Sequence, residues 1–200
     1  MRSKHADRKS STRTTLLDAA VDVLVDNGLT RFSVAAVASR AGVSTGALFY
    51  NYPSRAALIA AMTRHLFSQL EEEFVLDSTK GLTDPAERAV ALVDAVWSAY
   101  NDPRMKAALE LYGASRTDPE LASLIAEIDD ERAGRHLSLA EQLIGVPIED
   151  KDHLAGVVVV TMMTIQGIVL DQLTGGHSSA HERALPLLRE LVRGLVESAC

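Results

Sequence analysis

Three times in this chain an aspartate precedes a proline at the head of a helix-spaced apolar run: Asp84-Pro85, Asp102-Pro103 and Asp118-Pro119. An aspartate side chain can accept from the free N–H groups of a first helical turn, and proline fits that turn because its missing N–H is not needed there. Glu87 and Glu120 add negative charge near two of these starts, where the backbone dipole favours it. Strand punctuation is nearly absent; only Val157–Val160 could pass for a strand. The pattern predicts an all-α fold of about nine helices.

The remaining punctuation fits this. Leu16, Ala20, Val23 and Leu24 recur at helical spacing, and Gly28 supplies a stop. Ser33 can cap a short helix over 34–41, which Gly42 ends; Ser44 can cap a second through about Asn51. Pro53 breaks that one, because the residue before a proline is pushed out of the helical region. Ser54 then opens a longer helix on which Leu58, Met62, Leu66, Leu70 and Phe74 form a ladder of fours. The stretches 145–153 and 175–182 read as the last breaks.

Charge divides the chain. Residues 1–64 hold nine Lys/Arg against four Asp, a net of +5, whereas the rest holds eleven against twenty-three, a net of −12. The formal −7 therefore hides a basic front on an acidic body, and a basic front selects polyanions, nucleic acid first. Forty-four consecutive residues, 27–70, contain no carboxylate in a protein of 27 acids. A carboxylate facing DNA would be repelled by every nearby phosphate, which accounts for the gap. Residues 1–12 read as a flexible basic arm with no apolar run of a secretory signal, and the single Cys200 excludes an intramolecular disulfide. Both features suit the cytoplasm. Leu154–Leu170 is seventeen residues without a charge, read as a buried helix and not as a membrane span.

Inside the acid-free zone two short helices flank "AGVS" (41–44), a helix-turn-helix pattern. Ala38, Ala41 and Val43 are compact enough for a close crossing, and Gly42 takes the turn. After Ser44 come Thr45, Gly46 and Ala47, small residues suited to a helix front pushed into a major groove. Along that helix Leu48 and Tyr52 are expected to point inward, with Phe49 partly plugging a small core. Tyr50 and Asn51 are expected near the groove wall, with a hydroxyl and an amide for phosphate oxygens, and Arg55 follows.

The run "SVAAVASRAGVSTGALFYNYPSRAALIAAM" (33–62) resembles the N-terminal signature of the TetR family of transcriptional regulators, and the likeness extends from about Leu16 to Met62. That resemblance implies an all-helical homodimer with a three-helix DNA-binding head (13–60) and a larger effector-binding and dimerisation body (61–200). By position it implies that Ser33 touches a phosphate and that Thr45, Gly46 and Ala47 face base edges. Tyr50, Asn51 and Arg55 would grip the backbone, and Ser44 and Phe49 complete the candidate DNA-contacting residues. Phe49 stands where the family commonly has Tyr, Asn51 where it has His, and Arg55 where it has Lys.

In the body, Trp97, Tyr100, Met105, Leu109, Tyr112, Met162, Met163 and Gln166 are the candidate lining of an effector pocket, since Met and amphipathic aromatics suit apolar ligands. A homodimer through the last two helices is expected to use Val157, Val160, Thr164, Leu188, Leu191, Val192 and Leu195. The function implied is a repressor released from a palindromic operator in double-stranded DNA by a small, largely apolar effector, without cofactor or membrane. One rival is a DNA-binding regulator with no small-molecule effector. A distant rival is a helical metal-dependent enzyme using His177 and His181, although the zinc-protease pattern places Glu directly after the first His and here Ser178 follows it.

Overall fold

The computed structural model describes residues 4–145, 151–175 and 179–199. Among them are nine α-helices: α1 (Lys4–Arg31), α2 (Val34–Arg40), α3 (Thr45–Asn51), α4 (Arg55–Leu70), α5 (Pro85–Asn101), α6 (Pro103–Ser115), α7 (Pro119–Ile144), α8 (Lys151–Leu173) and α9 (Ala180–Ala199). No strand occurs among the described residues. The three prolines after aspartate open α5, α6 and α7. Asp84 accepts from the N–H groups of Ala86 and Glu87, and Asp118 from that of Leu121.

Two compact units divide the chain. The first joins Met1–Ser68 to Pro103–Ile128, and the second joins Gln69–Asp102 to Asp129–Cys200. In the first, α1 packs on α6 and on α2, and α2 on α3. Its core holds Leu16, Leu24, Val37, Leu48, Leu58 and Met62, all essentially inaccessible. In the second, α5 packs on α9, α8 and the segment after α4, and α8 packs on α9.

Packing thus draws a boundary different from the sequence division at residue 60. The reason lies on α6: the Glu110 carboxylate accepts from the Leu29 N–H at 2.7 Å. Leu29 follows Gly28, whose φ of 68° and ψ of 170° break α1 in a conformation open essentially only to glycine. A third helix is therefore fastened to the turn that leads into α2. The segment read as a flexible arm differs as well, for α1 already begins at Lys4, while residues 1–3 lie outside the described residues.

The ladder of fours on α4 holds as far as Leu70: Leu58, Met62, Leu66 and Leu70 are buried. Phe74 is only half-buried, because the helix widens into a π-helical turn at Glu71–Val75 and the repeat of four no longer keeps one face.

Candidate nucleic-acid interface

Ser33 stands in extended backbone before α2 and its hydroxyl accepts from the Ala36 N–H at 3.1 Å. Val37 and Ala38 bury the inner face of this two-turn helix. Its carbonyls are closed by Ala41 N–H to Val37 O and Val43 N–H to Ala38 O, at 2.9 and 3.0 Å. Gly42, at φ 68°, makes the left-handed step between them. Ser44 repeats the cap, accepting from Ala47 N–H at 3.2 Å, and α3 begins.

What α3 presents follows from its seven residues. Leu48 and Tyr52 turn into the core, while Thr45, Gly46 and Ala47 are exposed. A Cβ built on Gly46 meets only its neighbour Ser44 Oγ, at 3.9 Å, so no packing demands the glycine. Tyr50 is 80% exposed. Phe49, expected to plug a small core in part, is 45% exposed: Leu48 and Tyr52 already fill the inner face, and residue 49 lies outside the arc they cover. Asn51 is half-buried and one of its amide N–H groups donates to Ala47 O at 2.9 Å, so that group ties down the helix end instead of reaching outward. Arg55 is exposed, its guanidinium over the Phe32 ring at 5.8 Å from the centroid.

The acids that precede the carboxylate-free zone are held within the head. Asp18, Asp22 and Asp26, spaced by four, share one face of α1. Arg40 Nη2 lies 2.5 Å from Asp26 and Nη1 lies 3.5 Å from Asp22, while His65 Nε2 lies 2.7 Å from Asp18. These carboxylates hold the Arg40 guanidinium above its ordinary range, the Asp26 hydrogen bond being the largest cause. The acidic stripe is thus met by Arg40 from α2 and His65 from α4.

In the body, the candidate pocket residues divide between units: Met105, Leu109 and Tyr112 in the first, Trp97, Tyr100, Met162, Met163 and Gln166 in the second. Tyr100, Met105 and Leu109 are buried and Trp97, Tyr112, Met162 and Gln166 half-buried. Met163 does not belong with them. It is 58% exposed, one step round α8 from the residues that pack inward.

The interface residues also need correction. Leu188 and Val192 are buried within the protomer, at 4% and 7% exposure, because α9 turns them into the second unit's own core. On α9 the outward apolar residues are Leu187 and Leu191, and on α8 they are Val159, Val160, Met163, Leu170 and Leu173. Val157, Thr164 and Leu195 are half-buried. The helix α8 is long and apolar enough to cross a membrane by length and composition, and only 28% of its most apolar window is buried.

His177 lies outside the described residues. His181 stacks on Trp97, ring centroids 5.4 Å apart, with Gln172 Nε2 3.4 Å from its Nδ1. Among the described residues no group of three His, Cys, Asp or Glu could hold a metal ion.

Residues 16–62 match the tetR family of bacterial regulatory proteins, and residues 80–198 match a tetracyclin repressor-like C-terminal domain. An uncharacterized HTH-type transcriptional regulator of Mycobacterium tuberculosis is 25% identical over 188 residues, 92% of this chain and 94% of its own. A TetR transcription regulator from Haloarcula marismortui has the same fold at TM-score 0.67 and 18% identity, over 95% of this chain and 98% of that one. A regulator from Saccharomonospora viridis, solved in complex with choline, matches at TM-score 0.58 and 21% identity, over 94% and 96%. With a capped two-helix head at one end and a matching C-terminal domain at the other, the chain belongs to the TetR family and is a helix-turn-helix DNA-binding transcriptional regulator.

Proposed function

We infer that the protein represses transcription by occupying a palindromic operator as a homodimer and that a small, largely apolar effector releases it. The observation that carries the reading is the front of α3: Thr45, Gly46 and Ala47, small and exposed, followed by Tyr50 and Arg55 as outward donors. Backbone can approach bases there, and hydroxyl and guanidinium groups can reach phosphates on either side.

The apolar stripe on α8 and α9 supports pairing with a second copy. Gly156, Val160, Met163, Gly167 and Leu170 recur at steps of four and three along α8, all exposed, and beside both glycines a Cβ would meet nothing within 4 Å. Small residues between apolar ones let two helices approach closely, and a two-fold pair would cover this face with its own copy. The effector reading is supported by the choline held by the Saccharomonospora viridis protein, a small quaternary ammonium cation whose charge is covered by three methyl groups and which carries one hydroxyl. Its binding must favour a head spacing that does not fit the operator, or nothing is released. The fourth helix carries the shift, since it starts beside the recognition helix and runs on into the segment that packs on α5.

The test is anisotropy on fluorescent duplexes covering the DNA that flanks its own gene, titrated with salt. A specific site is expected whose affinity drops steeply as salt rises. Equal affinity for this DNA and a scrambled duplex removes the operator. A panel of small apolar and cationic compounds, choline included, is then added to the complex; unchanged affinity across the panel removes the effector and leaves the DNA reading standing.

A further inference from the structure

Four arginines in the head fall into two kinds. Arg40 and Arg64 are held by carboxylates, Arg40 by Asp22 and Asp26 and Arg64 by Glu127 at 2.6 Å. Arg13 and Arg55 rest instead on aromatic rings, Arg13 over Tyr52 at 5.7 Å from the centroid and Arg55 over Phe32 at 5.8 Å. Among the described residues neither forms an ion pair. The difference matters for binding. A carboxylate cancels the charge, whereas a neutral aromatic side chain leaves it standing, even where, as between Arg13 and Tyr52, a hydrogen bond joins the two side chains.

Both supporting rings are buried, Tyr52 at 5% and Phe32 at 4% exposure, while both arginines are exposed. Each guanidinium therefore lies over a fixed surface, which lowers the entropy lost when it meets a ligand. Burial pushes the Tyr52 hydroxyl above the usual tyrosine range, against the pull of Arg13, so the phenol stays neutral and cancels none of the arginine's charge.

The location of Arg13 gives its partner. Tyr52 ends α3, its N–H donating to Leu48 O at 2.9 Å. Arg13 thus sits at the C-terminal end of the recognition helix, about 10 Å along its axis from the front at Thr45. Tyr50 and Arg55 belong to that same end. Bases are read from the front of such a helix, so an arginine at the rear faces the strand that walls the groove.

On the reading of α3 as the DNA-contacting helix, we propose that Arg13 of α1 is a phosphate-binding residue, held over Tyr52 to form with Arg55 a two-arginine grip on the DNA backbone.

Full-length protein is compared with Arg13→Gln and Arg13→Lys by anisotropy, on the duplex flanking its own gene and on a scrambled duplex of equal length, over a salt series. Thermal unfolding is recorded alongside. For Arg13→Gln the slope of log affinity against log salt is expected to fall by about 1 per protomer on both duplexes, with affinity reduced by a similar factor on each. Arg13→Lys, which keeps the charge and loses the guanidinium over the ring, is expected to retain the slope. An unchanged slope for Arg13→Gln overturns the assignment. So does a loss confined to the specific duplex, which marks a base contact. A slope lost equally in Arg13→Lys overturns it too, because Arg13 would then act only through the packing of Tyr52. Where Arg13→Gln unfolds, Arg13→Met, which keeps an unbranched apolar stem over the ring and removes the charge, takes its place with the same expected and overturning slopes. If the unaltered protein binds neither duplex at low salt, the DNA reading itself fails, a result distinct from all of these.

Discussion

A Cβ at Gly46 would make only an ordinary contact with Ser44 Oγ, so the fold gives no reason for a glycine at the front of α3. A glycine inside a helix costs about 0.5–1 kcal/mol relative to alanine, and a position that keeps that cost without a packing need is shaped by what it binds. Gly46→Leu is expected to leave the melting temperature unchanged or slightly higher, while operator affinity falls on the order of 100-fold because the branched side chain holds the helix out of the groove. Thermal unfolding and anisotropy on the same sample check both halves; a variant that binds normally would take Gly46 out of the interface. Residue size at 45–47 was legible in the sequence, and so was the serine at 44. Arg13 was not, because thirty-nine positions separate it from the ring it stacks on and no local pattern links them.

At the scale of elements, the junction after α4 carries an unusual arrangement. The π-helical turn Glu71–Val75 is fastened to α7 by the Glu71 carboxylate, which accepts from Nε and Nη2 of Arg135. Glu71 holds the Arg135 guanidinium above its ordinary range. Next to this pair His136 is held down to about 4, first by burial and then by the charge of Arg132, with Arg135 adding to the effect and Glu71 opposing it. The unfolded chain, with an ordinary imidazole near 6.5, binds a proton between pH 6.5 and 4 that the folded protein refuses. The contribution is therefore complete above pH 6.5 and is lost as the pH falls towards 4, and it amounts to roughly 2 kcal/mol for a group that keeps some exposure. Denaturant unfolding of the protein and of His136→Gln across this range checks it. The difference between the two is expected to shrink with acid, and a constant difference refutes a titrating imidazole as its source. Helix starts were readable from Asp-Pro and from the capping serines, because a cap acts within four residues. The π turn was not, since the ladder of fours on α4 continues through Phe74 in sequence and only packing shows where the register changes.

For the whole molecule, the surface proposed for pairing is the apolar face of α8 and α9. Leu191 is 53% exposed and Leu188 is 4% exposed on the same helix, three residues apart. Leu191→Glu is expected to give a folded monomer, because the protomer buries little of that side chain. Leu188→Glu is expected to unfold or aggregate, since a carboxylate there enters an apolar core at a cost of several kcal/mol. Sedimentation velocity with circular dichroism separates the outcomes. A dimer that survives Leu191→Glu at micromolar concentration would place the pairing surface elsewhere. The monomer is expected to lose most operator affinity as well, because two linked heads bind far better than one.

The sequence by itself determined the helices, their caps, the basic head and the small-residue front of α3. Each is a matter of near neighbours, of one residue's hydroxyl or carboxylate reaching an N–H two or three positions on, or of charge counted along the chain. Only the tertiary structure decided which face of α9 is core and which is free, that Met163 points outward, that Glu110 of α6 holds the turn after Gly28, and that Arg13 shares an end with α3. A continuously apolar helix such as α8, or one with leucines on several sides such as α9, has no periodicity strong enough to set its rotation; the helices packed against it set it instead.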